Sequence, residues 1–268
     1  MNNSAYSASL LPDSRNVLGI PATFIDIESL PKILIPEAKG DKIPTLNKTG
    51  FMKTELDVFS QKFIHFTLTS KKPVLEIGAA YGIATLQALK NNVTIIANDI
   101  EEKHLIALLQ KTPKSQLKNL YIKPGHFPAN LEFEENSLGA VLICRVAHFF
   151  TGEEMDEGFK KIYKWLAPKG KIFFISMSPY HHLLKDFLPT YIRRAERGEK
   201  WPGVIENMKE YNPKESADIP NFLHVFDDAY MRTTLEKMGF NIEEITLFDY
   251  SNNSSDQKGY LGFIAVKP

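Results

Sequence analysis

Five apolar runs of strand length recur between residues 73 and 178: "PVLEIG", "VTIIAND", "LYIKPG", "GAVLICRV" and "KIFFISMS". They do not alternate apolar with polar residues, so neither face of such a strand is meant for water. Helical segments fall between them. "GIATLQALKNN" follows the first run, "EEKHLIALLQKT" the second, and "EEMDEGFKKIYKWLAPKG" precedes the last, with Met155, Phe159, Ile162 and Leu166 on one face. Buried strands joined by helices require a parallel sheet covered on both sides, an open α/β fold.

The rest of the chain reads around that unit. Residues 1–50 carry Pro12, Pro21, Pro31, Pro36 and Pro44, too closely spaced for long helices, and read as an irregular arm packed on the domain. From Met52 the apolar positions Met52, Leu56, Phe59, Phe63 and Phe66 step as one face of an amphipathic helix. Residues 51–268 form the main domain. Within it, residues 179–222 exceed an ordinary connection and read as a mostly helical insertion above the strand ends, a lid. "FDDAYMRTTLEKMGF" then predicts a helix capped by Asp227 or Asp228, and "NIEEITLFDY" and "KGYLGFIAVKP" predict two last strands about a polar turn, "SNNSSDQ".

Composition narrows the function. Lys+Arg and Asp+Glu are both 32, which argues against a nucleic-acid partner in favour of a small molecule. The single cysteine, Cys144, excludes an internal disulfide and a Cys-rich zinc cluster, and fits a reducing, cytoplasmic setting. No secretory leader is evident, and no run approaches the roughly 18 apolar residues of a membrane span.

The first apolar run ends in "VLEIGAAYG", a carboxylate followed by a turn of small residues. In open α/β sheets ligands bind past the carboxyl ends of the strands. Gly78, Ala79, Ala80 and Gly82 would let a ligand touch backbone there, or would simply let the helix pack close on its strand. Glu76 would repel a pyrophosphate and attract an ammonium group. Asp99 ends the second run, where a carboxylate accepts bonds from ribose hydroxyls, or caps the helix from Glu101. A ligand with a ribose and a cationic amino-acid tail satisfies both acids, and S-adenosyl-L-methionine is such a ligand.

At these residues the chain resembles the class I S-adenosylmethionine-dependent methyltransferases of small-molecule type. "VLEIGAAYG" at 74–82 and "NDI" at 98–100 carry the resemblance, with "GHF" at 125–127, "NSLGAVLICRVAHFF" at 136–150 and "LAPKGKIFFIS" at 166–176 in the family's order. It implies an open, doubly wound, mostly parallel seven-stranded sheet with an antiparallel last strand. It also implies roles. Glu76 would hold the methionine ammonium, and Gly78, Ala79, Ala80 and Gly82 would line the close approach. Asp99 would hold the ribose and Ile100 the adenine face, with His126 and Phe127 at its edge. Arg145 to His148 would line the methionine and acceptor side. The chain departs from the family at Ala80, where glycine is usual, at His126, where an acid is usual, and at Gly139, where Asp is usual.

Methyl transfer to oxygen or nitrogen uses a base where the acceptor is protonated. His148, just past the fourth run, is the best placed; His181, His182 and His224 are the other histidines considered. Each has a structural alternative, as do Phe127 (core) and Arg145 (an ion pair). No Asn/Asp-Pro-Pro-aromatic stretch follows the fourth run, Cys144 has no preceding proline, and no carboxylate ends that strand. These absences disfavour base methylation and a metal-dependent site. Two other readings stay open: a non-catalytic protein that binds S-adenosylmethionine or S-adenosylhomocysteine, and an NAD-type oxidoreductase, which would want glycine at position 80 and no acid at 76.

Overall fold

The computed structural model describes residues 18–213, 220–249 and 258–268. Strand β1 is Ile20–Pro21; β2 (Lys42–Pro44) and β3 (Phe51–Lys53) form a separate hairpin. Then follow α1 (Val58–Thr67), β4 (Val74–Ile77), α2 (Ile83–Leu89), β5 (Ile95–Asp99), α3 (Glu102–Lys111), β6 (Leu120–Pro124), β7 (Leu138–Cys144), α4 (Gly152–Trp165) and β8 (Leu166–Met177). The described part of residues 179–222 holds α5 (Leu188–Glu196) and β9 (Val204–Ile205); β10 (Leu223–His224), α6 (Asp228–Lys237), β11 (Asn241–Phe248) and β12 (Tyr260–Val266) complete the described chain.

The main sheet runs β1-β6-β5-β4-β7-β8-β12-β11. From β6 to β8 every pair is parallel, whereas β12 is antiparallel to both β8 and β11. This is the seven-stranded arrangement with one addition. The arm contributes β1, two residues paired antiparallel with β6, which makes eight strands.

Side-chain alternation divides the core into two layers. Leu75, Ile77, Val141, Ile143 and Phe174 face α4 and α6 through Phe159, Ile162, Met231 and Leu235. Val74, Ile95, Leu142, Phe173 and Ile175 face α1, α2 and α3 through Phe59, Phe63, Ala84, Ala88, Leu105 and Leu108. The unbroken apolar runs follow from this double coverage.

Three boundaries differ from the sequence expectation. Helix α1 starts at Val58 rather than near Met52, because the Asp57 carboxylate accepts from Phe59 N–H and Ser60 N–H and fixes the N-terminus there; Met52 pairs with Ile43 in the hairpin instead. Helix α4 stops at Trp165, and Leu166–Gly170, expected as its end, already belong to β8. The arm is more ordered than an irregular packed segment, since it carries both β1 and the β2–β3 hairpin. Asp227 caps α6, accepting from Tyr230 N–H. The "SNNSSDQ" turn lies outside the described residues. Among the described residues no helix is long and apolar enough to cross a membrane, and no group of three acidic, His or Cys side chains gathers as a metal site.

Candidate cofactor and acceptor site

Strand order reverses between β4 and β7, so the crevice beyond their carboxyl ends is the switch point at which open α/β sheets bind ligands. The turn that leaves β4 there is unusual in its backbone. Gly78, Ala80 and Gly82 all have positive φ, at 71°, 47° and 75°. Glycine adopts these angles freely, whereas Ala80 is strained by about 1–2 kcal/mol. A side chain at Gly78 would also meet Val146, and one at Gly82 would meet Leu108. Both glycines are therefore required by packing and by backbone angle, with or without a ligand.

The two carboxylates hold this turn. Gly82 stands at the N-cap of α2 and has no side chain to cap it. Glu76 reaches across from β4 to do so: Thr85 N–H and Oγ1–H donate to Glu76 Oε2 at 2.9 and 2.5 Å. Glu76 Oε1 accepts no hydrogen bond among the described residues. With the residue only 4% exposed, burial pushes its carboxyl up to about 7. Asp99 Oδ2 accepts from Ala80 N–H at 2.8 Å, and its Oδ1 from Glu101 N–H at 2.9 Å. His104 Nδ1 lies 3.1 Å from the same Oδ1. Glu101 supplies the side-chain cap of α3.

Around them the predicted positions spread out. Ala79 is buried, its N–H donating to Asn98 O. Ile100 projects outward, 60% exposed. His126 is half-buried, its ring edge-on to Phe150 and its Nε2 3.6 Å from Glu154. Phe127 is in the core, against Phe150 and Trp165 and over Gly158. On the other side of the switch point, Arg145 has φ 55° and its N–H donates to Ile175 O at 2.7 Å, bracing β7 on β8.

His148 lies in a short turn past β7, with Nδ1 shielded from solvent and without a partner among the described residues. The protein packed around its ring, and then the Arg145 and His181 charges, lower its pKa to about 3. It is a neutral imidazole. His181 is buried, with Nδ1 accepting from Leu183 N–H and its ring edge-on to Tyr260. Its pKa falls to about 4, chiefly through burial. The described part of the 179–222 segment packs on α4: Trp201 lies directly over Gly152 and Lys200 reaches Asp156 at 2.9 Å, while Arg194 donates to Val204 O inside the segment. Cys144 is half-buried, its Sγ beside Asp57 and Ser60, and the protein packed around it raises the thiol to about 12, which disfavours the reactive thiolate.

Sequence reasoning misses Thr85, His104, Tyr81 and Asn98. Thr85 occupies the third helical position of α2, a capping position that the carboxylate nine residues earlier could have signalled. Asn98 Nδ2 donates to Lys123 O and Gly125 O and so holds the exit of β6 beside Asp99. His104 and Tyr81 carry no such signal; their partners lie in the arm.

A switch-point crevice flanked by two carboxylates and a left-handed turn is the place where a domain of the open α/β class takes a ligand. Residues 74–170 match the family model of a methyltransferase domain. Over that stretch, from β4 to the start of β8, the chain is similar to a methyltransferase domain, a family in which class I members use S-adenosylmethionine. Solved structures share the fold. A SAM-dependent methyltransferase from Methanosarcina mazei is 18% identical with a TM-score of 0.56, covering 76% of this chain and 96% of its own. A putative S-adenosylmethionine-dependent methyltransferase from Listeria monocytogenes is 16% identical at 0.56, covering 78% and 98%. One from Mesorhizobium loti is 13% identical at 0.57, again covering 78% and 98%. No curated protein matches the sequence.

The residues present fit this cofactor. Glu76 Oε1 is a carboxylate oxygen without a hydrogen bond among the described residues, suited to an ammonium group, and burial leaves it poised to gain from a cation. Asp99 accepts from three groups, and a carboxylate has about four lone-pair sites.

Proposed function

We propose that this chain transfers the methyl group of S-adenosylmethionine to an oxygen or nitrogen of a small molecule, in the cytoplasm. The observation that carries the cofactor half is the pairing of Glu76 and Asp99 at the ends of adjacent parallel strands, on either side of the strained turn. Glu76 Oε1 binds the methionine ammonium, directly or through water, and Asp99 takes the ribose hydroxyls. Ile100 offers its exposed side chain to one adenine face and His126 stands at its edge. Phe127 acts from behind, packing the core on which that wall rests.

The bound cofactor supplies an already activated sulfonium methyl for in-line displacement, so alignment and exclusion of water do most of the protein's work. Arg145 and His148 face the acceptor side, and residues 179–222 cover it as a lid. In its present surroundings His148 is a weak proton acceptor. It serves as a base only for an acceptor that carries its own acidity or that brings charge to offset Arg145; otherwise it orients the acceptor through Nδ1. Equal numbers of acidic and basic residues support a small-molecule acceptor over a nucleic acid.

Calorimetric titration with S-adenosylhomocysteine tests the cofactor assignment. Asp99→Ala should lose about ten- to a hundred-fold in affinity while keeping its circular-dichroism spectrum. Unchanged affinity would remove Asp99 from the ribose site. Methyl incorporation into small phenols and amines, with none into RNA or DNA, is the result expected for the acceptor class.

A further inference from the structure

We propose that His104 is a positioning residue that ties the β2–β3 hairpin to the Asp99 carboxylate, so that closure of the hairpin and occupation of the ribose position are coupled. The coupling rests on Asp99 being the ribose-binding residue of the proposed function.

His104, in α3, is 1% exposed and uses both ring nitrogens. Nε2 is 3.0 Å from Leu46 N, in the hairpin loop. A backbone N–H can only donate, so Nε2 carries the lone pair and Nδ1 the proton. That proton points at Asp99 Oδ1, 3.1 Å away. One neutral tautomer thus satisfies both partners: a donor toward the carboxylate and an acceptor toward the hairpin.

A second pin lies beside it. Tyr81, from the same turn that gives Ala80 N–H to Asp99, sets its ring edge-on to His104 at 5.1 Å. Its hydroxyl donates to Pro44 O at 2.8 Å. The hairpin is therefore fastened at Pro44 and Leu46 to the two residues that frame Asp99. Its far side reaches the acceptor half, where Gly50 lies against Phe149, next to His148. Beneath it Asp99 is 5% and Tyr81 1% exposed. The strap thus touches both halves of the crevice, at Tyr81 and His104 on one side and at Phe149 on the other.

Two near-isosteric substitutions separate the two bonds. Asn places an amide nitrogen where Nδ1 stands, and Gln places an amide oxygen where Nε2 stands. In His104→Asn, hydrogen exchange of the Leu46 amide should speed up about five- to tenfold, the loss of one hydrogen bond, and S-adenosylhomocysteine should dissociate faster by a similar factor. In His104→Gln, exchange at Leu46 in the unliganded protein should stay near wild type while affinity falls. Tyr81→Phe, which leaves α3 untouched, should also loosen the hairpin and speed dissociation. A purely structural His104 would lower stability in both variants without separating the readouts, and equal exchange at Leu46 in the Asn variant, the Gln variant and wild type would overturn the tether. Wild-type protein that fails to bind S-adenosylhomocysteine would overturn the coupling and the ribose reading together. The exchange of the unliganded variants would in that case still show whether His104 holds the hairpin.

Discussion

Glu76→Gln probes the buried carboxyl without changing its shape. Glutamine keeps an acceptor for Thr85 but cannot ionise. In the native protein burial raises the Glu76 pKa from 4.5 to about 7. The folded state thus binds this proton more tightly than the unfolded chain. The stability that protonation contributes is whole below pH 4.5 and is lost as pH rises through 7. Two and a half pKa units correspond to about 3 kcal/mol in full, and to about 2.5 kcal/mol between pH 5 and pH 8. The assay is urea unfolding of both proteins across that range without ligand. His148, His181 and His224 titrate alike in both and cancel in the difference. The stability of Glu76→Gln relative to wild type should rise by about 2.5 kcal/mol from pH 5 to pH 8. A difference that stays flat would show that the carboxyl is ionised at ordinary cost, and would take away the argument that it waits for a cation. The same variant should bind S-adenosylhomocysteine more weakly, and wild-type binding near pH 7 should release a proton, read as a dependence of calorimetric heat on the buffer's ionisation enthalpy.

Ala80→Gly relieves a left-handed alanine at φ 47° and should stabilise the protein by up to about 1 kcal/mol, raising Tm; a lower Tm would mean that the methyl group packs usefully. Gly152→Ala would place a Cβ within the Trp201 ring, so the lid should detach and trypsin should cleave severalfold faster after Arg197; unchanged cleavage would show that the lid is held elsewhere. Burial holds the His224 pKa near 4, so its contribution is present above pH 6.5 and lost as pH falls through 4; His224→Gln should remove about 3 kcal/mol of that acid sensitivity, measured by urea unfolding at pH 7 and pH 4.

The parallel core was legible in the sequence because buried strands must be apolar throughout, and the runs at 73–78, 93–99 and 139–146 coincide, to within two residues at each end, with the strands β4, β5 and β7. Glu76, Asp99 and the small residues between them were legible for a related reason. A charge ending a buried strand, or glycines at a strand-to-helix turn, need a cause that can be stated residue by residue.

By itself, then, the sequence determined the features that short-range rules govern: strand burial, helix period, and the turn at 78–82. Tertiary structure decided the features those rules leave free. It set which oxygens of the two carboxylates are engaged, placed Glu76 under α2 as its cap, and buried His181 although its neighbour His182 is not buried. It also brought Pro44 and Leu46 onto Tyr81 and His104 across 37 and 58 residues of chain. Such contacts depend on the summed path of every intervening element, and no local pattern of residues encodes that path.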